Sequence, residues 1–302
     1  MSDIRLFRLS NDLVEPILGS AVALERSLQT LIEAHAEALL GVRFLATEFS
    51  TTKSHGGRID TLGIDVSGSP VIIEYKRAIN ENVINQRLFY LNWLLDHRAD
   101  FKLLVMEKLG SPIAATIEWT SPRLICIAAD FMKFDQHAIH QMPANIDLVR
   151  YRRYGVDLLL LEQVATSTVE TAPPRGAKGP ALPTKTISGG IQATTGEGSG
   201  DSPHQSMAQE RLRQCSAEVQ DWYDALRAHA QSLGDGVKIH AKDSYISFRS
   251  LKNFAYVDFR PKRDKIVMTL KLDEATVAEG AGFIRLVQSQ WPTIEIDSAE
   301  DV

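Results

Sequence analysis

The run Gly56–Arg77, GGRIDTLGIDVSGSPVIIEYKR, places Asp60 on one extended segment and Glu74-Tyr75-Lys76 on the next. Side chains two apart on a strand share a face, so Glu74 and Lys76 point the same way. That pattern is what metal-assisted hydrolysis of a phosphodiester needs. Hard divalent ions take carboxylate and carbonyl oxygens, and a neighbouring cation can orient water or stabilise charge developing on phosphate. Asp60 and Glu74 are therefore candidate ligands if their strands are neighbours. The Tyr75 carbonyl is a candidate third oxygen, and Lys76 the cation. Glu25, on a helix earlier in the chain, could reach the same ion directly or through water. Gln86 and Tyr90, four apart, share one face of the helix that follows Lys76 and could hold a nucleotide or the backbone of DNA. Arg58 is a candidate phosphate contact, and Gly56-Gly57 would permit close approach of a backbone or ligand.

These residues need elements to hold them. Leu24, Leu28, Leu31, Ile32 and Leu39 recur at helical spacing, which predicts a helix over 20–40 stopped by Gly41. Strands are expected at 42–49, 58–66 and 71–76, then a helix over 81–97 with Asn80 as its N-cap. Further strands fit 101–106, 123–128 and 158–161. Helix, strands, helix, strand describes an α/β core with a mixed sheet. Taken singly, Glu-x-Lys is an ordinary solvated strand face, and Glu33 and Glu37 rival Glu25. The ordered set differs, because each member falls on the element the chemistry requires.

Glu25, Asp60, Glu74-Tyr75-Lys76 and Gln86-Arg87-Leu88-Phe89-Tyr90 together resemble the PD-(D/E)xK nuclease superfamily. The stretch GRIDTLGIDVSGSPVIIEYKRAINENVINQRLFYLNWL is most similar to the catalytic domain of NucS/EndoMS endonucleases, and its Gln-x-x-x-Tyr element to RecB-type nucleases. The resemblance covers about residues 24–106. It implies a restriction-endonuclease-like α/β core and an Mg²⁺- or Mn²⁺-dependent DNA endonuclease, with Asp60 and Glu74 as ligands, Lys76 as catalytic lysine and Glu25 as accessory acid. NucS-like proteins carry the nuclease domain after an N-terminal DNA-binding and dimerisation domain, whereas here it comes first. Their mismatch specificity is accordingly not carried over. Cutting both strands would suit a homodimer. Repair, restriction and phage defence remain equal as settings.

The rest of the chain bounds the reading. Three parts are expected: a nuclease-like domain over 1–165, a flexible linker over 166–206 rich in Gly, Pro, Ser and Thr, and a small α+β domain over 207–302. Forty flexible residues would span roughly 35 Å. The small domain carries nine basic residues against three acidic ones between Lys238 and Lys271, in a chain of 302 residues with net charge −5. Tyr245, Arg249, Lys252, Arg260, Lys262 and Arg263 are candidate nucleic-acid contacts on a basic sheet with exposed aromatics. A sheet edge guarded by Lys and Arg is the plain alternative. Residues from Trp222 to Phe259 are also similar to an uncharacterised domain attached to predicted nucleases. Two cysteines, Cys126 and Cys215, exclude a disulfide framework and suit a reducing cytoplasm. No apolar run approaches a membrane span. His137 and His140 lack a third ligand, and no Walker loop is present. A nucleic-acid-binding or regulatory module on an inactive nuclease fold is the second reading, and a protein-interaction scaffold the third.

Overall fold

The computed structural model describes residues 4–10, 13–20, 25–51, 57–76, 81–168, 206–234, 236–242, 244–271, 292–296 and 298. For Glu25 and residues 81–87 it describes the backbone only. The described residues form two large sheets and a separate two-stranded one.

The larger sheet is mixed. Its strands are β3 (Gly19–Ser20), β4 (Val42–Ser50), β5 (Arg58–Asp65), β6 (Pro70–Lys76), β7 (Arg123–Ala128), β8 (Asn145–Tyr154) and β9 (Leu158–Ser167). They run in the order β3-β8-β7-β6-β5-β4, with β9 also on β8. Strands β6, β7 and β8 are parallel, so Lys76, Ala128 and Arg150 lie level at one end. Helices cover both faces, as a sheet with apolar residues on each side requires. On one face α1 (Glu25–Ala34) and α2 (Ala36–Leu40) bring Leu28, Ile32 and Leu40 onto Val71, Ile73, Tyr75, Ile125 and Val149. On the other, α3 (Glu81–Asp96) and α4 (Arg98–Leu109) bring Tyr90, Leu94, Phe101 and Val105 onto Leu62, Ile64, Ile72 and Cys126.

The expected strands before Lys76 and the helix after it are present. Three expectations are corrected. The helix foreseen over 20–40 breaks at His35, whose N–H bonds Ile32 O at 3.2 Å as a tight turn. It does end at Gly41, whose φ of 66° and bond to Glu37 O make a left-handed cap. Residues 101–106 are helix α4, not a strand: Phe101 and Val105, four apart, are buried while Leu103 and Met106 are exposed. Thr166 and Ser167 belong to β9 rather than to a linker. Residues 169–205, most of the expected linker, and residues 272–291 of the small domain lie outside the described residues.

The smaller sheet, β10 (Lys238–Ala241), β11 (Ile246–Arg249), β12 (Asn253–Arg260), β13 (Lys265–Leu270) and β14 (Thr293–Ile296), is antiparallel in sequence order. Val257, Phe259 and Ile266 pack with Val219, Trp222 and Tyr223 of α6 (Ala217–Ser232). The α5 helix (Met207–Gln214) and α6 start at Ser206 and Ser216, whose hydroxyls accept from the N–H three residues on.

The smaller sheet meets the larger at the start of the parallel strands. Lys242 Nζ donates to Ser69 Oγ (2.7 Å) and to Ser121 Oγ, Tyr245 OH to Ser67 O (3.3 Å), and Arg123 Nη2 to Leu251 O (2.8 Å). This end of β6 is about 20 Å from Lys76 at the strand's other end. A two-stranded sheet, β1 (Leu6–Ser10) and β2 (Leu13–Ile17), precedes the rest. No helix among the described residues is long and apolar enough to cross a membrane.

Candidate metal centre

The β5–β6 ladder runs from Ile64↔Pro70 to Thr61↔Ile73. One step further, Asp60 and Glu74 stand opposite each other with their side chains on one face. There the strands are tied by carboxylates instead of a ladder bond. Asp60 N–H donates to Glu74 Oε1 at 3.1 Å, and Tyr75 N–H donates to Asp60 Oδ2 at 3.0 Å. Each acid is thus fixed by the backbone of the other's strand. Glu74 is only 1% exposed and Asp60 is half-buried. Lys76, half-buried, ends β6 on the same face. That face continues the α3/α4 core.

The opposite face anchors the pair. Gln29 Nε2 lies 3.0 Å from Asp60 O, 3.0 Å from Glu33 Oε1 and 3.1 Å from Thr47 Oγ1. Thr61 Oγ1 donates its one hydrogen to Glu33 Oε1 at 2.6 Å and lies 3.3 Å from Tyr75 OH. Burial pushes the Tyr75 phenol above its ordinary value, and the Thr61 contact offsets this only in part. Tyr75 is therefore neutral at any working pH and acts as a pin. Glu33, weighed in the sequence as a rival to Glu25, is engaged by Thr61 and Gln29. Glu25 opens α1 one turn ahead of Gln29, on the same stripe of the helix.

Tyr90 is buried, and its hydroxyl accepts Arg58 N–H at 3.3 Å. Gly57 makes this possible: a Cβ there would fall 2.4 Å from Tyr90 Cε1. The close approach read from the Gly-Gly pair is thus made by a tyrosine ring of this chain. Gln86 lies one turn earlier on α3. The Arg58 side chain is exposed and pairs with Glu48 at 2.5 Å. Gln29 and Thr61 do not stand out in the sequence; the one signal for Gln29 is the four-residue spacing of Glu25, Gln29 and Glu33, and Thr61 has none.

Among the described residues no three His, Cys, Asp or Glu side chains cluster as a metal site. Asp60 and Glu74 are a pair, and further oxygens would have to come from the Tyr75 carbonyl, Glu25 or water. The donor set fits a hard ion: both are carboxylates, and one held through one oxygen can coordinate through the other. His137 and His140 are exposed and belong to no such cluster.

The nucleic-acid candidates of the second sheet divide. Arg249, expected on an exposed face, is buried, with Nη2 3.7 Å from Asp147 Oδ1 of the larger sheet. Tyr245 is half-buried against Ser67 and edge-on to Tyr256. Lys252 Nζ donates to Ala38 O at 3.2 Å. These three face the first sheet: Tyr245, just before β11, and Arg249, four residues on at its end, share the face that carries the contacts, and Lys252 follows on the turn at the start of β12. Arg260, Lys262 and Arg263 lie at the other end, beside a groove of about 800 Å³ that Arg211, Lys265 and Glu295 also line. Arg211 and Arg260 both pair with Asp258, at 3.0 and 2.9 Å, and Lys265 pairs with Glu295. Lys262 and Arg263 are exposed on the turn between β12 and β13.

Residues 208–299 match a family described as a Domain of unknown function (DUF5655). Over 261 residues the chain is 27% identical to an uncharacterized protein of Haemophilus influenzae, covering 83% of this chain and 78% of that one. Two solved structures show a partial likeness. One is a repair endonuclease from Pyrococcus abyssi, at 17% identity over 45% of this chain and 55% of that one, with a TM-score of 0.29. The other is an EndoMS-dsDNA2 complex, at 18% identity over 43% and 47%, with a TM-score of 0.25. The chain spans about half the length of these two structures, and likeness at this level carries no argument about chemistry.

Proposed function

We propose that this chain is a metal-dependent endodeoxyribonuclease that hydrolyses DNA phosphodiester bonds at Asp60, Glu74 and Lys76. The observation that carries the reading is the reciprocal tie between Asp60 and Glu74, which sets two carboxylates and a lysine on one face at the end of β6. Asp60 and Glu74 would hold Mg²⁺ or Mn²⁺, with the Tyr75 carbonyl and Glu25 as further oxygen donors; an ion bound there polarises the scissile phosphate and the attacking water. Lys76 orients that water and offsets negative charge building on phosphate. Tyr90 keeps the start of β5 in place, so that Asp60 stays opposite Glu74. Gln86, one turn from Tyr90, contacts the nucleotide or its backbone.

Plasmid, single-stranded and branched DNA incubated with Mg²⁺ or Mn²⁺ test this. The wild-type chain cuts and EDTA stops it. Asp60→Asn and Lys76→Ala each lose at least about 100-fold, as removal of one transition-state group does. Wild-type cutting by both variants overturns the assignment.

The groove beside Lys262 and Arg263 favours a second reading, a DNA-binding module on a silent nuclease fold. It lies where β12 ends, with Lys262 and Arg263 exposed on the turn to β13, so it would meet a polymer running past the molecule. That reading gains if the chain retains DNA without cutting it and if Lys262→Glu with Arg263→Glu abolishes retention.

A further inference from the structure

The β1–β2 hairpin is almost wholly exposed. Leu6 lies opposite Ile17, Phe7 opposite Pro16, Arg8 opposite Glu15, Leu9 opposite Val14 and Ser10 opposite Leu13. Alternation sorts these into two faces. One mixes Arg8, Ser10 and Glu15 with Leu6, Leu13 and Ile17. The other consists of Phe7, Leu9, Val14 and Pro16, with no polar side chain. Phe7 is 51% exposed, Leu9 76% and Val14 63%. A two-stranded hairpin is marginal in water by itself, and an apolar sheet face has to be covered by something.

The chemistry of that face selects its cover. With no charge, it offers nothing to a phosphate backbone or to a charged partner. Pro16 has no N–H, which blunts β2 for edge pairing and leaves the face as the surface on offer. An identical face stacked across a twofold matches apolar on apolar, the isologous arrangement commonest among oligomers. With Leu18, which is 83% exposed, the patch offers on the order of 500 Å² per copy. Two copies would bury about 1,000 Å², the lower limit for a specific interface.

Position adds a consequence. The chain leaves β2 through β3, where Ser20 lies opposite Arg153 on β8. On its other side β8 is paired by β9 at the same level, so β3 takes the side that β7 vacates after Ala128. Arg153 is three residues beyond Arg150, which is level with Lys76, so the hairpin departs about 10 Å past the end of β6. The smaller sheet docks at the opposite end.

We propose that the chain is a homodimer whose β1–β2 hairpins stack through Phe7, Leu9, Val14 and Pro16 across a twofold axis, on the side of the sheet that carries Asp60, Glu74 and Lys76. The dimer stands independently of whether the chain cuts DNA; if it does, two centres are presented to one duplex.

Sedimentation velocity of the full chain from about 1 µM to about 100 µM tests the dimer, since an interface of this size dissociates in that range. The wild-type chain sediments as a dimer at the upper end. Leu9→Glu with Val14→Glu is monomeric throughout, with wild-type circular dichroism and thermal unfolding. A wild-type monomer at every concentration, including one that floats with phospholipid vesicles, overturns the proposal, as does a dimeric double variant. Should the double variant misfold, the milder Val14→Thr decides: it weakens the dimer at least about tenfold, and unchanged dimerisation overturns the proposal.

Discussion

At the scale of single residues, the feature that matters is how the two acids are held. Burying a carboxylate is unfavourable unless hydrogen bonds and charge compensate it. Asp60 and Glu74 obtain part of that compensation from each other's strands, through bonds of 3.0 and 3.1 Å. Their orientation is therefore set before any ligand arrives. Glu33 has a different role, because Thr61 and Gln29 both use it. Glu33→Ala removes an acceptor from two partly buried donors and should destabilise the chain by about 1–3 kcal/mol, read by urea denaturation. Cleavage per folded molecule should stay within about threefold. Glu25→Ala should do the reverse, lowering cleavage at wild-type stability. If Glu33→Ala is the variant that stops cutting, Glu33 and not Glu25 is the accessory acid.

At the scale of elements, β4, β5, β6 and α3 were legible in the sequence, since short apolar runs bounded by Gly, Ser and Pro mark strands and a longer apolar run marks a helix. The acid pair was legible through strand alternation: with period two, Asp60, Glu74 and Lys76 could be assigned one face once their strands were neighbours. What failed to show was decided by tertiary context. The apolar run of α4 is too short to separate helix from strand by pattern, and only its packing through Phe101 and Val105 settles it. Strand β8 was hidden by Asp147, Arg150, Arg152 and Arg153, charges that read as surface. Yet Asp147 and Arg150 are buried, balanced by Arg123 and by Glu162 and Asp130. The tyrosine behind Gly57 was likewise invisible, because Tyr90 comes from another element. That contact is testable. Gly57→Ala forces the Tyr90 ring aside and should destabilise by about 1–3 kcal/mol. Tyr90→Ala removes the obstacle, so the double variant should be more stable than the sum of the two single effects. Strict additivity in urea denaturation would mean that the ring and the glycine do not meet.

At the scale of the whole molecule, the two sheets are joined by charge. Asp147, fully buried on β8, takes Arg123 Nε at 2.5 Å, Gln163 Nε2 at 2.7 Å and Thr166 Oγ1 at 2.7 Å, with Arg249 of the smaller sheet 3.7 Å away. Burial pushes the Asp147 carboxyl up, but Arg123, Arg249 and the Thr166 hydroxyl outweigh it and hold the group at about 2. Burial likewise draws Arg249 down to about 10, still charged near neutrality, and His240 beside it down to about 2, hence neutral. The smaller sheet is therefore docked by a cation reaching an anion that belongs to the larger one. Removing the anion strands two buried guanidinium groups, so Asp147→Asn should cost about 3–5 kcal/mol near neutral pH. The sign with pH follows from the depressed carboxyl. In the unfolded chain an aspartate titrates near 3.9, so the stability it confers is complete above that value and fades as pH falls toward about 2. The whole of it is worth about 2–3 kcal/mol. Urea denaturation of the wild-type chain and of Asp147→Asn should therefore show a constant gap from pH 7 to pH 5 that narrows on acidification below pH 4. A gap that stays constant with pH would mean that Asp147 is not charged in the folded protein, and the two sheets would then be held together without that ion pair.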